Sequence, residues 1–454
     1  MQWRMLYTAT NAMLAPRLLL FLSVVLGWSA VATGQEWIEV KSRHFTVLTD
    51  AGEGSGRRLA REFELIRVVF QQALGHSPVD PAEPSFIYAL QEESGMAELL
   101  PRFWEDQTRA KPVGLFRRGT DRNYVALLLD TGGDRPYATI YHEYFHLLVT
   151  VNFGEIPLWL NEGLASFWAT TEIWAKDVLI GGADRDYVNI LRREPLVPLS
   201  VLFAVDHESP YYNDADKASI FYAQSWAFIH YLLLGNSLGP EKLSRYLTLL
   251  RENREPESAW KQAFPNVGAL EKLLTDYVRG GEFGGYRRGR PAPVSDDVLG
   301  ARPLTHAEVL AHKAAFLTHG GSRELALPLI EHALEVEPSL SLGHEVEAYY
   351  FLASQEPEQA LRALEKAIAL GSESFLAHYH YAVLVLQTRS PIAKAFDGLQ
   401  RAISLNPDFV PAHLMLAELA SEWRKELDAG LASAESALEL APRSPPRRVE
   451  PWRS

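Results

Sequence analysis

Apolar residues recur with two different periods in the first half of this chain. Residues 37–40 and 44–48 read as strands, and 85–89 as a third. Between them, residues 55–74 carry helical spacing, with Leu59, Phe63, Ile66, Val69 and Phe70 on a shared face. Residues 113–116 and 124–129 are again strand-like, separated by the turn-rich Gly119-Thr120-Asp121-Arg122-Asn123. Two strongly apolar helices follow, one starting near Pro136 and one opened by Pro157. From there to Tyr277 the pattern is mostly helical. A small sheet followed by a helical lobe predicts an α+β domain over 35–283, with a site between its two parts.

Residues 284–303 are rich in Gly, Pro and Arg and have no period, which reads as a linker or as a strap over the first domain. Beyond it the chain repeats itself. Ala333, Ala367, Ala402 and Ala437 stand at intervals of 34, 35 and 35, and seven residues earlier stand Ala326, Ala360, Ala395 and Gly430. Small residues at this period mark where paired helices touch. The pattern resembles the tetratricopeptide repeat and predicts an all-α solenoid over 304–442, although the large residues usual in the first helix of each unit are poorly kept. The tail at 443–454 is rich in Pro and Arg and reads as disordered.

Composition narrows the partners. At 454 residues two or three domains are expected, and 47% apolar content supports real cores. A net charge of −13 argues against nucleic acid or an anionic membrane surface as the main partner. The chain has no cysteine, so thiol catalysis, Cys-based metal sites and disulfides are excluded. Arg4 and Arg17 precede a short apolar run at 18–26 and then small residues to Gly34. Residues 1–34 therefore read as a signal peptide, with an uncleaved membrane anchor as the alternative. Export to a periplasmic or extracellular space is expected. No other stretch is long and apolar enough to span a bilayer.

The chemistry sits in the two apolar helices. His142-Glu143-Tyr144-Phe145-His146 places two histidines four apart, on one helical face, with a carboxylate beside the first. The second helix brings Asn161-Glu162-Gly163 after a helix end, a turn and a return. A catalytic zinc takes three protein ligands and keeps one open position, and two His with one Glu is a known set. His142, His146 and Glu162 are the candidate ligands of one Zn2+ per chain. Glu143 is the candidate general base toward a zinc-activated water.

These two segments, with "PLWLNEGLASF" closest to the aminopeptidase-like branch, resemble the gluzincin, or peptidase MA-like, zinc metallopeptidases. The resemblance covers roughly 36–280, with sharp motifs between 139 and 230. It implies that His142, His146 and Glu162 bind zinc and that Glu143 is the base. In the aminopeptidase-like branch a Tyr-x-x-Gly pattern also supplies a donor to the oxyanion. Tyr222 occupies a similar place here, with Ser225 where Gly would stand, and Tyr211, Tyr212 and His207 are the alternatives. That branch holds the free amino end of its substrate with a Gly-x-Met-Glu-Asn strand. The strand is absent; Gly95-Met96-Ala97-Glu98 only echoes it within a predicted helix. His230 reads as a packed histidine, and His378 and His380, two apart, make no metal pair.

The sequence thus predicts an exported zinc endopeptidase, with peptide or protein substrates and a protein partner on its repeats. An extended substrate is expected to pair with residues 124–129 as an edge strand. A chain ending near Arg302 is expected to keep zinc and cleave small peptides. Two other readings stay open: a repeat scaffold with an inactive zinc domain, and a zinc hydrolase of a non-peptide amide.

Overall fold

A computed structural model describes residues 36–74, 80–105, 111–129, 137–292, 295, 298–388 and 391–440, without the side chains of 73, 74, 215 and 216. The expected signal peptide and C-terminal tail lie outside the described residues, as does Pro136.

Alternation within the N-terminal strands builds a mixed sheet. Its strands are β1 (Ile38–Lys41), β2 (Phe45–Thr49), β3 (Ser85–Leu90), β4 (Gly114–Arg118), β5 (Asn123–Leu128) and, from far along the chain, a strand at Gly300–Pro303. Helix α1 (Glu53–Leu74) makes the crossover that lets β2 and β3 run parallel, and β5 joins them in parallel. The order is β4-β5-β3-β2-β1 followed by the Gly300–Pro303 strand. Two short helices, α2 (Glu93–Leu99) and α3 (Pro101–Glu105), precede β4, so the Gly95–Glu98 echo is helical.

The lobe that follows begins with α4 (Ala138–Phe153) and α5 (Leu158–Ala169). Both are apolar nearly all round, as helices buried on every side must be. Next come β6 (Glu172–Ile173), β7 (Asp177–Ile180), α6 (Arg185–Arg193), α7 (Leu199–Phe203), α8 (Pro210–Asn213) and α9 (Ala215–His230). A π turn at Tyr231–Gly235 extends α9 into α10 (Gly239–Arg251), α11 (Pro256–Ala263) and α12 (Val267–Gly280). The β6–β7 hairpin breaks the expected run of helices.

The 284–303 stretch is a strap, not a free linker. Its first part forms β8 (Tyr286–Gly289) against β7, and its last part is the sixth strand of the main sheet, β9 (Gly300–Pro303), against β1. Side chains in β8 are mostly exposed, so main-chain pairing holds it and no apolar period announces it.

Four helix pairs complete the chain: α13 (His306–His319) with α14 (Ala326–Val336), α15 (Ser341–Ala353) with α16 (Pro357–Ala369), α17 (Phe375–Gln387) with α18 (Ile392–Leu405), and α19 (Val410–Trp423) with α20 (Leu427–Leu440). Thr305 opens them with a capping box on Glu308. Ala326, Ala333, Ala360, Ala367, Ala395 and Ala402 are fully buried, and a side chain at Gly430 would run into Ala420. A second periodic feature is His344, His378 and His413, whose Nε2 atoms lie 3.3, 3.0 and 2.8 Å from the carbonyl oxygens of Pro338, Ser372 and Pro407. Each pins the turn that leads into its own pair.

Both faces of the mixed sheet are covered, as its parallel centre β2-β3-β5 requires. Val40, Phe45, Val47, Ile87 and Val125 pack on α1, α4 and the helical lobe. Leu48, Tyr88, Leu90, Tyr124 and Ala126 share a core with Leu310, Ala314, Phe316 and Leu317 of α13 and Ile330 of α14. Phe316 meets Tyr88 and Tyr124 edge-on, with ring centroids 5.2 and 5.8 Å apart. The Tyr88 hydroxyl donates to the His312 carbonyl at 2.9 Å. The first repeat therefore closes the core of the N-terminal α+β domain. A chain ending near Arg302 would bare that face, so its expected zinc binding and small-peptide cleavage depend on the sheet holding without the first repeat.

Candidate metal centre

Helices α4 and α5 bring the motif together because their ends are sharply turned. Gly154, at φ 72°, stops α4 in a conformation that favours glycine. Pro157 then opens α5, its carbonyl accepting from the N–H groups of Leu160 and Asn161. Gly163 lets α5 lie against α9: a Cβ there would stand 2.6 Å from the Ser225 carbonyl oxygen. Ser225, fully buried, is the small residue in the Tyr222-x-x-Ser225 pattern, and its backbone lies at this crossing.

The three candidate ligands converge. The Nε2 atoms of His142 and His146 are 3.0 Å apart, and Glu162 Oε2 lies 3.4 Å from the first and 3.6 Å from the second. A tetrahedral ion with bonds of about 2.0–2.1 Å needs ligand atoms about 3.3 Å apart. The donor set and its spacing fit zinc. Among the described residues this is the one group of three His, Asp or Glu side chains placed to share a metal. His146 Nδ1–H donates to Asn161 Oδ1 at 2.8 Å, a tautomer assigned from the network that aims the Nε2 lone pair at the centre. The sequence reading gave Asn161 no role.

Electrostatics within the cluster follow from burial and proximity. Burial pulls the His146 pKa down, but the Glu162 carboxylate outweighs it and pushes it up to about 9. Burial disfavours a charged Glu162, yet the two imidazoles hold its carboxyl well below the usual range. Glu143 is buried beside the ligands, and burial raises its pKa. Its carboxylate accepts from the Phe116 N–H of β4 and lies against Gly114, where any side chain would collide with Thr139 and crowd Glu143.

These groups line one cleft of about 930 Å³ with Tyr222, Tyr212, His207 and Tyr187 on the far wall. Tyr222 and Tyr212 share a hydrogen bond, and burial with the Glu162 charge pushes the Tyr222 pKa up, so its hydroxyl stays a donor. Of the alternatives, Tyr212 and His207 also line the cleft, whereas Tyr211 packs on the core. His230 is fully buried elsewhere: it donates from Nε2 to the Gly181 carbonyl at 2.9 Å and accepts from the Tyr277 hydroxyl at 2.7 Å. His380 contacts the Tyr349 hydroxyl at 3.2 Å.

The strand bordering the cleft is β4, not residues 124–129. β5 lies between β4 and β3, so its two sides are taken, and β4 is the edge. Leu128 N–H bonds Val113 C=O and Gly119 N–H bonds Arg122 C=O, each at 2.9 Å. Ladder alternation then turns the main-chain groups of Gly114, Phe116 and Arg118 outward.

The family model described as Peptidase MA superfamily matches residues 129–280. The segment holding both site helices is thus similar to the Peptidase MA superfamily, in line with the resemblance that the motifs carry. No curated protein matches the chain. Among solved structures, "Crystal structure of MamA" is 18% identical, with a TM-score of 0.27, over 30% of this chain and 80% of that one. "MamA 41-end from Desulfovibrio magneticus RS-1" is 15% identical, with a TM-score of 0.26, over 46% of this chain and 97% of that one. Likeness at that level carries no argument, and the repeats rest on their own spacing and packing. No helix among the described residues is long and apolar enough to cross a membrane.

Proposed function

We propose that this protein is an exported zinc-dependent endopeptidase, with one zinc on His142, His146 and Glu162 and with Glu143 as general base. The observation that carries the reading is the tetrahedral spacing of three ligand atoms beside a carboxylate held by an edge strand. Bound zinc supplies Lewis acidity toward a carbonyl and toward water. The remaining work belongs to the chain. Glu143 takes the proton of the attacking water and returns it to the leaving amine. The Phe116 N–H fixes the Glu143 carboxylate while it does so. Tyr222 donates to the oxygen that becomes negative, with Tyr212 orienting its hydroxyl. Outward main-chain groups of β4 bind an extended peptide as an added strand. Absence of a Gly-x-Met-Glu-Asn strand supports cutting inside peptides. The helix pairs bind a protein partner or substrate, and since the first pair is seated on the sheet, that surface lies on the later pairs.

Glu143→Gln is the test. It preserves shape, so zinc content and melting should match wild type, while turnover of an end-blocked peptide library falls by about 10²–10⁴. Near-normal turnover would remove Glu143 as base. Cleavage that disappears on acetylating the substrate N-terminus would replace the endopeptidase reading with an exopeptidase one.

A further inference from the structure

Three neighbouring cations mark the β4 side of the cleft, and only one lacks a partner among the described residues. Lys111 pairs with Glu93 at 3.5 Å and Arg118 with Glu83 at 3.2 Å. Arg117 lines the same cleft as Glu143 and the three candidate ligands, is half-buried, and has no hydrogen bond or ion pair among the described residues. Its Nε is fully buried and unsatisfied. Burial pulls its pKa down, and no carboxylate among the described residues opposes it. An unpaired guanidinium in a partly dry site is costly and calls for an explanation.

We propose that Arg117 selects substrates with a carboxylate, an Asp or Glu side chain or a terminal carboxylate, two or three residues from the scissile bond. This rests on the peptidase reading and deepens it. β4 is the edge strand of the sheet on the cleft side, and Glu143 lies against Gly114 and the Phe116 N–H. A strand added along that edge is in register with β4, at about 3.4 Å per residue. The residue facing Arg117 therefore lies about 7–10 Å from the reacting carbonyl, and its side chain projects to the same face as Arg117. Arg117 is opposite Tyr124 on β5, which places it on the repeat-facing side of the sheet. The guanidinium forms a bidentate pair with the incoming carboxylate, the strongest partner its fork can take.

The experiment uses the full chain and end-blocked fluorogenic peptides in which each position flanking the cut carries Glu or Gln. Wild type should prefer Glu at one position, two or three residues from the bond, by about ten- to hundredfold in kcat/KM. Arg117→Gln should abolish that preference without lowering the melting temperature, and Arg117→Glu should turn it toward Lys. A wild type that cuts Glu and Gln peptides equally, or a preference that survives in Arg117→Gln, overturns the inference and leaves the peptidase reading standing. Calorimetric binding of the same peptides to zinc-loaded Glu143→Gln protein separates the two. If nothing is cut, tighter binding of the Glu peptide that depends on Arg117 sustains the inference while the catalytic reading fails. Equal binding of both peptides overturns it.

Discussion

Adding one methyl group at Gly163 tests whether the α5–α9 crossing sets the metal site. That methyl would meet the Ser225 carbonyl oxygen at 2.6 Å and Ile229 Cγ1 at 2.8 Å. A carbon rests about 3.3–3.6 Å from a carbonyl oxygen, so the helices must part by roughly 0.7–1 Å. The obstacle is backbone and cannot swing aside. Such overpacking costs about 1–3 kcal/mol, and the better helix propensity of alanine offsets at most about 1 kcal/mol of it. Gly163→Ala should thus melt roughly 2–8 °C lower. Its effect on zinc should be larger than its effect on the fold. Glu162 is the preceding residue, and metal–ligand distances tolerate only about 0.2 Å. Chelator competition should show zinc affinity reduced about ten- to hundredfold, the range for disturbed supporting contacts. Gly268→Ala is the control, because no atom lies within 4 Å of its added carbon; it should melt at or slightly above wild type. If Gly163→Ala keeps wild-type melting and zinc affinity, the close crossing does not position Glu162.

Tyr222→Phe should keep zinc and substrate affinity and lower kcat about 10²–10³, with Tyr212→Phe milder; an unaffected kcat moves the donor to Tyr212 or His207. Phe316→Ala removes a ring that is 1% exposed between Tyr88 and Tyr124, and should cost about 3–5 kcal/mol. Zinc release and helix melting should stay coincident in that variant, and separate transitions would show that the first repeat folds apart from the sheet. His230 and His380 are pushed down by burial to about 4 from 6.5 and stay neutral in the fold. The unfolded chain takes up their protons first, so this stability is whole above pH 6.5 and drains as pH falls toward 4, by up to about 3 kcal/mol for each. A pH series of melts should show a shallower fall for His230→Gln than for wild type, and an unchanged slope refutes the assignment.

What could be read from the chain depended on which force recorded itself as side-chain pattern. Strands β2, β3 and β5 and helices α1, α4 and α5 bury side chains, so their periods were visible. The candidate ligands were legible because helical spacing and residue chemistry agree at 142, 146 and 162. β8 and β9 are held through the main chain, which leaves no period, and the strap was legible only as one of two readings. The edge strand was misplaced for a related reason. Residues 113–116 and 124–129 look alike as strings, and only the parallel pairing of β5 with β3 decides which is outside. Asn161 and Arg117 have no repeating context at all. The histidines at 344, 378 and 413 did carry a signal, the same 34–35 spacing as the alanines.

The repeats looked separable because small residues at a fixed period describe how helix pairs touch each other, not what else they touch. A different signal was present in α13. Leu310, Ala311, Ala314, Ala315, Phe316 and Leu317 are all buried, covering more of the helix than one partner can. A first repeat helix needing two partners has α14 on one side and the sheet on the other. Polar contacts reinforce this seam. Asp121, in the β4–β5 turn, pairs with Arg122 at 2.7 Å, accepts from the Tyr124 hydroxyl at 2.8 Å and lies 3.2 Å from His319 Nε2 of α13. Burial disfavours its charge, but Arg122 and His319 hold the carboxyl well below its usual range. Breaking a buried pair of this kind costs about 3–5 kcal/mol, much of it from the charge left behind. The same hairpin carries the Phe116 N–H that fixes Glu143 and the edge that borders the cleft. Packing by the first repeat therefore bears on the position of the candidate base, because one turn of four residues at 119–122 joins the strand that touches Glu143 to the strand that α13 covers.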